Sequence, residues 1–157
     1  MPEKLSLSDR ADITDLLARY CVYLDEGEAD AWLDLWLDDG VFAGASPQPL
    51  RGRQALAQLP VRSLSTGSRH LLGNIVADYG ASKDEIVVRC YNLVTSWLGG
   101  GRFNSMAIAR YELVRVGDSW KIRSNRIRRM MPGEPDPNMF PEGFCYPADQ
   151  PTKFPPV

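Results

Sequence analysis

Residues 69–130 alternate apolar and polar side chains in stretches longer than ordinary strands, and only short turn-forming segments separate them. Strands are predicted over His70 to Ala77, Glu85 to Leu98, Phe103 to Arg115 and Ser119 to Met130. Between them lie Ala81-Ser82-Lys83-Asp84, Gly99-Gly100-Gly101 and Gly117-Asp118, each suited to a tight reversal. The three longest strands, joined in this way, read as an antiparallel meander. Strands of ten to fourteen residues normally bend, so a strongly curved sheet with a concave face is expected.

The chain before this sheet is helical in texture. Ile13, Leu16, Leu17, Tyr20 and Leu24 recur at three and four residues, Ser6 and Ser8 are candidate caps, and Asp9 and Asp12 stand at the positive end of the dipole. A helix is predicted from about residue 8 to about residue 24. Asp25-Glu26-Gly27-Glu28 breaks it, and a second helix is predicted from Ala29 to Leu37 with Trp32, Leu33, Leu35 and Trp36 on its apolar side. Asp38-Asp39-Gly40 leads into a short strand, Val41-Phe42-Ala43. A third helix is predicted from Gly52 until Pro60 stops it. Helices first and sheet afterwards is the α+β order. Helices laid across a concave sheet would close a cone with a pocket inside.

At 157 residues the chain is one domain's worth, and its apolar fraction of 44% is ordinary for a globular core. Its net charge of −2, with Lys and Arg dispersed up to the cluster Arg123, Arg126, Arg128 and Arg129, provides no electrostatic footprint for nucleic acid. No stretch has the apolar length of a signal peptide core or a membrane span, so a soluble, cytoplasmic protein is expected. Cys21, Cys90 and Cys145 are odd in number and far apart, fitting neither a disulfide framework nor a zinc spacing. Neither metal nor cofactor is expected. Residues 1–131 read as the domain. Residues 132–157 are rich in proline and aromatic side chains and read as an extended arm, laid over the protein's own pocket or across a neighbouring subunit.

His70 is the sole histidine, so any imidazole chemistry in the chain belongs to it. Alternation along its strand puts Leu72, Asn74 and Val76 on the same face, and Asn74 is therefore expected to share a cavity with it. The local alternative for His70 is a structural hydrogen-bonding role. Asp25, just past a helix C-terminus, faces the negative end of the dipole; it is either a partner for His70 or the centre of an Asx-turn or cap. Counting from Trp120, Ile122, Ser124, Arg126 and Arg128 fall on one strand face, and Arg123, Asn125, Ile127 and Arg129 on the other. Arg126 is the first choice for a pocket cation, with Arg128 beside it; a solvated strand end is the alternative. Tyr20 and Tyr23 are candidate donors or core residues, and Trp36 is pocket wall or core.

The segments Asp9-Arg10-Ala11-Asp12-Ile13-Thr14-Asp15-Leu16-Leu17-Ala18-Arg19-Tyr20, Leu24-Asp25 and Leu35-Trp36-Leu37-Asp38-Asp39-Gly40-Val41-Phe42 resemble the opening of the SnoaL-like branch of the nuclear-transport-factor-2-like, or cystatin-like α+β cone, superfamily. Arg51-Gly52, Arg69-His70 with Asn74, and Gly117-Asp118-Ser119-Trp120-Lys121-Ile122 continue the resemblance to about residue 130. Lindane dehydrochlorinase and bile-acid 7α-dehydratase are similar in pairing an aspartate after the first helix with a histidine on the first long strand. These positions match Asp25 and His70, and the bile-acid enzyme has a tyrosine where Tyr20 stands. Scytalone dehydratase is similar in architecture but uses two histidines, and this chain has one.

The resemblance implies a cofactor-independent lyase, dehydratase or isomerase. In it His70 is the general base, Asp25 holds the other ring N–H, and Tyr20 and Arg126 assist at the oxygen or leaving group. Tyr23, Trp36, Asn74 and Arg128 would contact a small, largely apolar cyclic substrate. The same segments are also similar to β subunits of aromatic-ring-hydroxylating dioxygenases, which implies a non-catalytic assembly role; a small-molecule binding module is a further alternative. A one-layer sheet with an apolar convex face implies a homo-oligomer, dimer or trimer.

Overall fold

The computed structural model describes residues 4–130, so the Pro-rich arm and Cys145 lie outside the described residues. Helix α1 (Leu7–Glu26) starts where Ser6 caps it, the Ser6 hydroxyl accepting the Asp9 N–H at 3.0 Å, and it buries Ile13, Leu16, Leu17, Tyr20 and Leu24. It ends at Gly27, whose φ of 74° permits the left-handed cap and whose N–H returns to the Tyr23 carbonyl. A Cβ at Gly27 would stand 2.7 Å from the tip of the half-exposed Leu64 side chain, which can turn aside, so it is the angle that calls for glycine there. The helix runs through Glu26, and Asp25 sits in its last turn rather than beyond it.

Helix α2 (Ala29–Leu33) is shorter than predicted, because Trp36 already belongs to strand β1 (Trp36–Ala43). Trp36 pairs in parallel with Ile122, the Ile122 N–H bonds the Leu35 carbonyl at 2.8 Å, and the indole packs on Trp32 with ring centroids 5.1 Å apart. Sheet pairing and aromatic packing outweigh the local helical pattern there. Strand β2 (Leu50–Arg51) and helix α3 (Gly52–Leu56) follow. Helix α4 (Gln58–Ser65) then runs past Pro60, which lies in its first turn, where a missing N–H costs no helical bond.

Strands β3 (Ser68–Tyr79), β4 (Glu85–Ser96), β5 (Arg102–Val116) and β6 (Ser119–Met130) form the expected antiparallel meander. The sheet order is β2-β1-β6-β5-β4-β3, with β1 parallel to β6. This is an α+β fold in which N-terminal helices lie against a six-stranded, curved, unclosed sheet. Register shifts interrupt all three pairings of the meander, between Gly73 and Val76, between Val94 and Thr95, and between Glu112 and Leu113. Each is a bulge that bends its strand.

The concave face carries the core. Ile86, Val88, Tyr111, Leu113 and Ile122 meet Ile13, Leu17 and Trp32 from the helices, all essentially fully buried. The opposite face holds the cross-strand row Leu71, Leu93 and Met106, with Leu71 56% exposed.

At its N-terminal end α1 is tied to the sheet by Asp9. The buried carboxylate accepts the Tyr79 hydroxyl at 2.8 Å, the Arg115 guanidinium at 2.6 Å and the Trp120 indole N–H at 3.2 Å, and Arg115 stacks on Trp120. Burial would raise the Asp9 pKa. Hydrogen bonds from Tyr79, Arg115 and Ser6, with the Arg115 charge, outweigh it and hold the group at about 2.

Candidate active site

The last turn of α1, the end of α4 and the start of β3 converge on Asp25. This carboxylate is 4% exposed and accepts three hydrogen bonds: the His70 main-chain N–H at 2.6 Å, His70 Nδ1 at 2.6 Å and the Ser63 hydroxyl at 2.9 Å. Arg69 adds a bond to the Asp25 carbonyl at 3.3 Å and an ion pair with Glu26 at 3.2 Å. A carboxylate at a helix C-terminus opposes the dipole, and these donors offset that cost. Neither the Asx-turn nor the cap of the second helix is formed by Asp25, since α2 has no side-chain cap. The carboxylate can only accept, so Nδ1 carries the hydrogen of this bond, and Nε2 is the nitrogen left for the cavity that His70 lines.

That cavity has a volume of about 170 Å³. Leu24, Phe42, Leu59 and Ile127 supply an apolar wall; Ser68, Asn92, Asn104 and Ser105 supply a polar one. Tyr20 lies between, its hydroxyl accepting the Asn125 side-chain N–H at 3.0 Å. Burial, more than any neighbouring charge, pushes the Tyr20 phenol far above its ordinary range, so it keeps its proton and can donate it in a hydrogen bond. Burial likewise pushes the Cys21 and Cys90 thiols up to about 12, which leaves both in the unreactive protonated form. Among the described residues no group of His, Cys, Asp and Glu is arranged to hold a metal ion. No helix there is long and apolar enough to cross a membrane.

Of the residues singled out from sequence, Asp25 and His70 touch each other, and His70 and Tyr20 line the cavity. Five others stand elsewhere. Tyr23 accepts a bond from Arg19 at 2.9 Å on the outer side of α1. Trp36 is core, packed on Tyr20 and Trp32. Asn74 does not share the cavity: with Ile75 it forms the β3 bulge opposite Cys90, at φ 52°, and it is exposed. Arg126 and Arg128 do not line it either. Arg126 bonds Glu112, which Arg110 also engages.

The arginines were misplaced because Arg123 is a bulge residue. Ser124 pairs with Glu112 and Ile122 with Leu113, so two-residue alternation slips by one. Beyond the slip Asn125, Ile127 and Arg129 turn inward, and Arg129 is the β6 arginine that lines the cavity. Ser63, Arg62 and Asn92 were also missed. Asn92 had a readable signal: counting by twos along β4 from Ile86 gives Val88, Cys90, Asn92 and Val94, a single carboxamide in an apolar stripe.

Comparison with known proteins places these features in a wider group. The SnoaL-like domain matches residues 5–126. A protein of Novosphingobium aromaticivorans, described as NTF2-like with a cystatin-like fold, is 28% identical over 77% of this chain and 81% of its own, with a TM-score of 0.69. A Mycobacterium tuberculosis protein of unknown function is 22% identical, covering 86% and 84% of the two chains with a TM-score of 0.74. A third, also from N. aromaticivorans and provisionally named a scytalone dehydratase, is 23% identical over 80% and 86%, with a TM-score of 0.67. No curated protein matches the chain.

Proposed function

The chain belongs to the SnoaL-like domain family, and from that premise we propose that it is a cofactor-independent lyase or isomerase in which His70 removes a proton from a small cyclic substrate. The family includes polyketide cyclases and dehydratases. The observation that carries the reading is the two-point hold of Asp25 on His70, through the main-chain N–H and through Nδ1, at the wall of a cavity. An aspartate placed in this way fixes the tautomer, aims the ring and stabilises the imidazolium as it forms.

In the proposed dehydration, His70 Nε2 takes a proton from a carbon beside an activating group. The C–H electron pair becomes the new C=C bond as the C–O bond on the adjacent carbon breaks. The departing hydroxide leaves as water after taking the same proton back from the imidazolium, so one histidine serves both steps. In an isomerisation the proton returns to a different carbon. The Tyr20 hydroxyl, held by Asn125 and kept protonated by burial, donates to the oxygen on which charge develops.

The test is incubation with a panel of cyclic β-hydroxy ketones and acids in D₂O, with mass spectrometry to detect loss of water or uptake of deuterium. His70→Gln should abolish both. Undiminished conversion by that variant would rule out the imidazole as base.

A further inference from the structure

The outer face of the sheet is apolar where β6 ends. Met130 pairs with Met106, Met106 with Leu93 and Leu93 with Leu71, so one row of four apolar side chains crosses the strands from β6 to β3. The next outward row sets Tyr91 opposite Ile108. Leu71 is 56% exposed and Tyr91 39%, whereas Asn92 and Ala107, which alternate with them toward the concave side, are buried. A contiguous apolar patch on an open sheet face marks a surface that another segment covers.

A row of like charge borders the patch. Arg89 pairs with Arg110 and Arg110 with Arg126, which sets three cations side by side on adjacent strands. Glu112 bonds Arg110 and Arg126, and Arg89 is exposed beside them. Like charges placed directly opposite one another repel, and a single shared carboxylate leaves the row positive.

The sequence that follows Met130 matches both features. Residues 131–157 contain Met139, Phe140, Phe144, Tyr146 and Phe154, and they carry Glu134, Asp136, Glu142 and Asp149 against Lys153. Their opening, Met131-Pro132-Gly133-Glu134, has Pro and Gly where a type II turn takes them. From β6 to β3 is about 14 Å, which about five residues of extended Pro-rich chain span at about 3.1 Å each. Counted from Glu134, that distance ends at Met139 and Phe140. The cavity lining beside Met106 is by contrast polar, formed by Asn104 and Ser105.

We propose that residues 134–146 lie across the outer face of their own sheet, with Met139 and Phe140 against Leu93 and Leu71 and with Glu134 and Asp136 turned toward the row of Arg89, Arg110 and Arg126. The segment takes the place of the second copy that an open apolar sheet face would otherwise recruit. The proposal is independent of the chemistry at His70.

The experiment uses the full chain with a nitroxide on Cys145; Cys21 and Cys90 are buried, protonated thiols and do not compete for the label. Paramagnetic loss of isotopically labelled Leu and Met methyl signals is then read, with the same measurement from Gly143→Cys in a Cys145→Ser background as a control for disturbance by the first label. Leu71, Leu93 and Met106 are expected to lose more intensity than Leu24 and Leu59, which line the cavity. Glu134→Lys combined with Asp136→Lys should lessen that loss, as should added salt. Mixing nitroxide-bearing protein with separately methyl-labelled protein distinguishes a chain's own sheet from a neighbour's, and no loss is expected in the mixture. Greater loss at Leu24 and Leu59, loss in the mixed sample, or no loss with either label position would overturn the proposal.

Discussion

Asp25 grips His70 at two points, accepting the main-chain N–H on Oδ2 and the ring Nδ1 on Oδ1, each at 2.6 Å. One carboxylate thus fixes both where the strand begins and how the imidazole is turned. The position and the orientation of the ring are set by the same residue, and substitution there separates a structural role from the proposed catalytic one.

Asp25→Asn keeps an oxygen acceptor but removes the charge that stabilises the imidazolium. It is expected to lower kcat by about two to four powers of ten and to cost about 1–3 kcal/mol of stability, because its NH2 group must face a donor that a carboxylate oxygen accepts. Asp25→Ala removes the acceptor of three buried donors and should also cost about 3 kcal/mol of stability. Denaturant titration beside kinetics separates the two roles; a kcat in Asp25→Asn within a few-fold of the native value would show that Asp25 is purely structural.

In the proposed mechanism Ser63 would be a positioning residue, since its hydroxyl donates to Asp25 and not to the ring. Ser63→Ala should cost about 1 kcal/mol of stability and reduce kcat more than it raises KM, with Ser63→Thr restoring part of the rate. A unchanged kcat in Ser63→Ala, measured over the full pH range, would remove it from the mechanism.

Tyr20→Phe deletes the protonated donor at the cavity and leaves the Asn125 N–H without its acceptor. The expected result is a loss of about a hundredfold in kcat, with about 1–2 kcal/mol of destabilisation. Comparing kcat in Tyr20→Phe with that in Asn125→Leu, which keeps the phenol, reads the hydroxyl's own contribution.

Asp9 makes stability depend on acid. Its carboxyl is held at about 2 against an ordinary 3.8, so the folded state binds this proton less readily than the unfolded chain does. The resulting stabilisation is complete above about pH 4 and is lost as pH falls through about 2. Thermal melts should therefore decline more steeply over that window in the native protein than in Asp9→Asn, whose melting temperature is lower at neutral pH. Parallel curves would show that Asp9 carries no such linkage.

The helical period exposed Ile13, Leu16, Leu17, Tyr20 and Leu24 as one buried face, and the long alternating stretches exposed the sheet, because both signals repeat over many residues. His70 and Asp25 were legible only together: neither has a local signature, and the pairing came through resemblance to a family pattern. Arg129 was hidden for a physical reason, since a bulge adds one residue without changing composition, and everything beyond it inverts. Trp36 was misread because its strand is specified by β6, more than eighty residues away, rather than by its neighbours. Pro60 marked a helix that it begins instead of ending.

The bulge at Arg123 absorbs one residue of β6 without moving the cavity wall. Deleting that residue would restore plain alternation and still leave Asn125, Ile127 and Arg129 inward, because Ser124 would simply follow Ile122 in register. Had the strand taken Arg123 into its regular alternation instead, Arg126 and Arg128 would face inward and Arg129 outward. Related sheets can therefore differ by one residue in a strand, a gap in an alignment, and still present the same wall to a ligand.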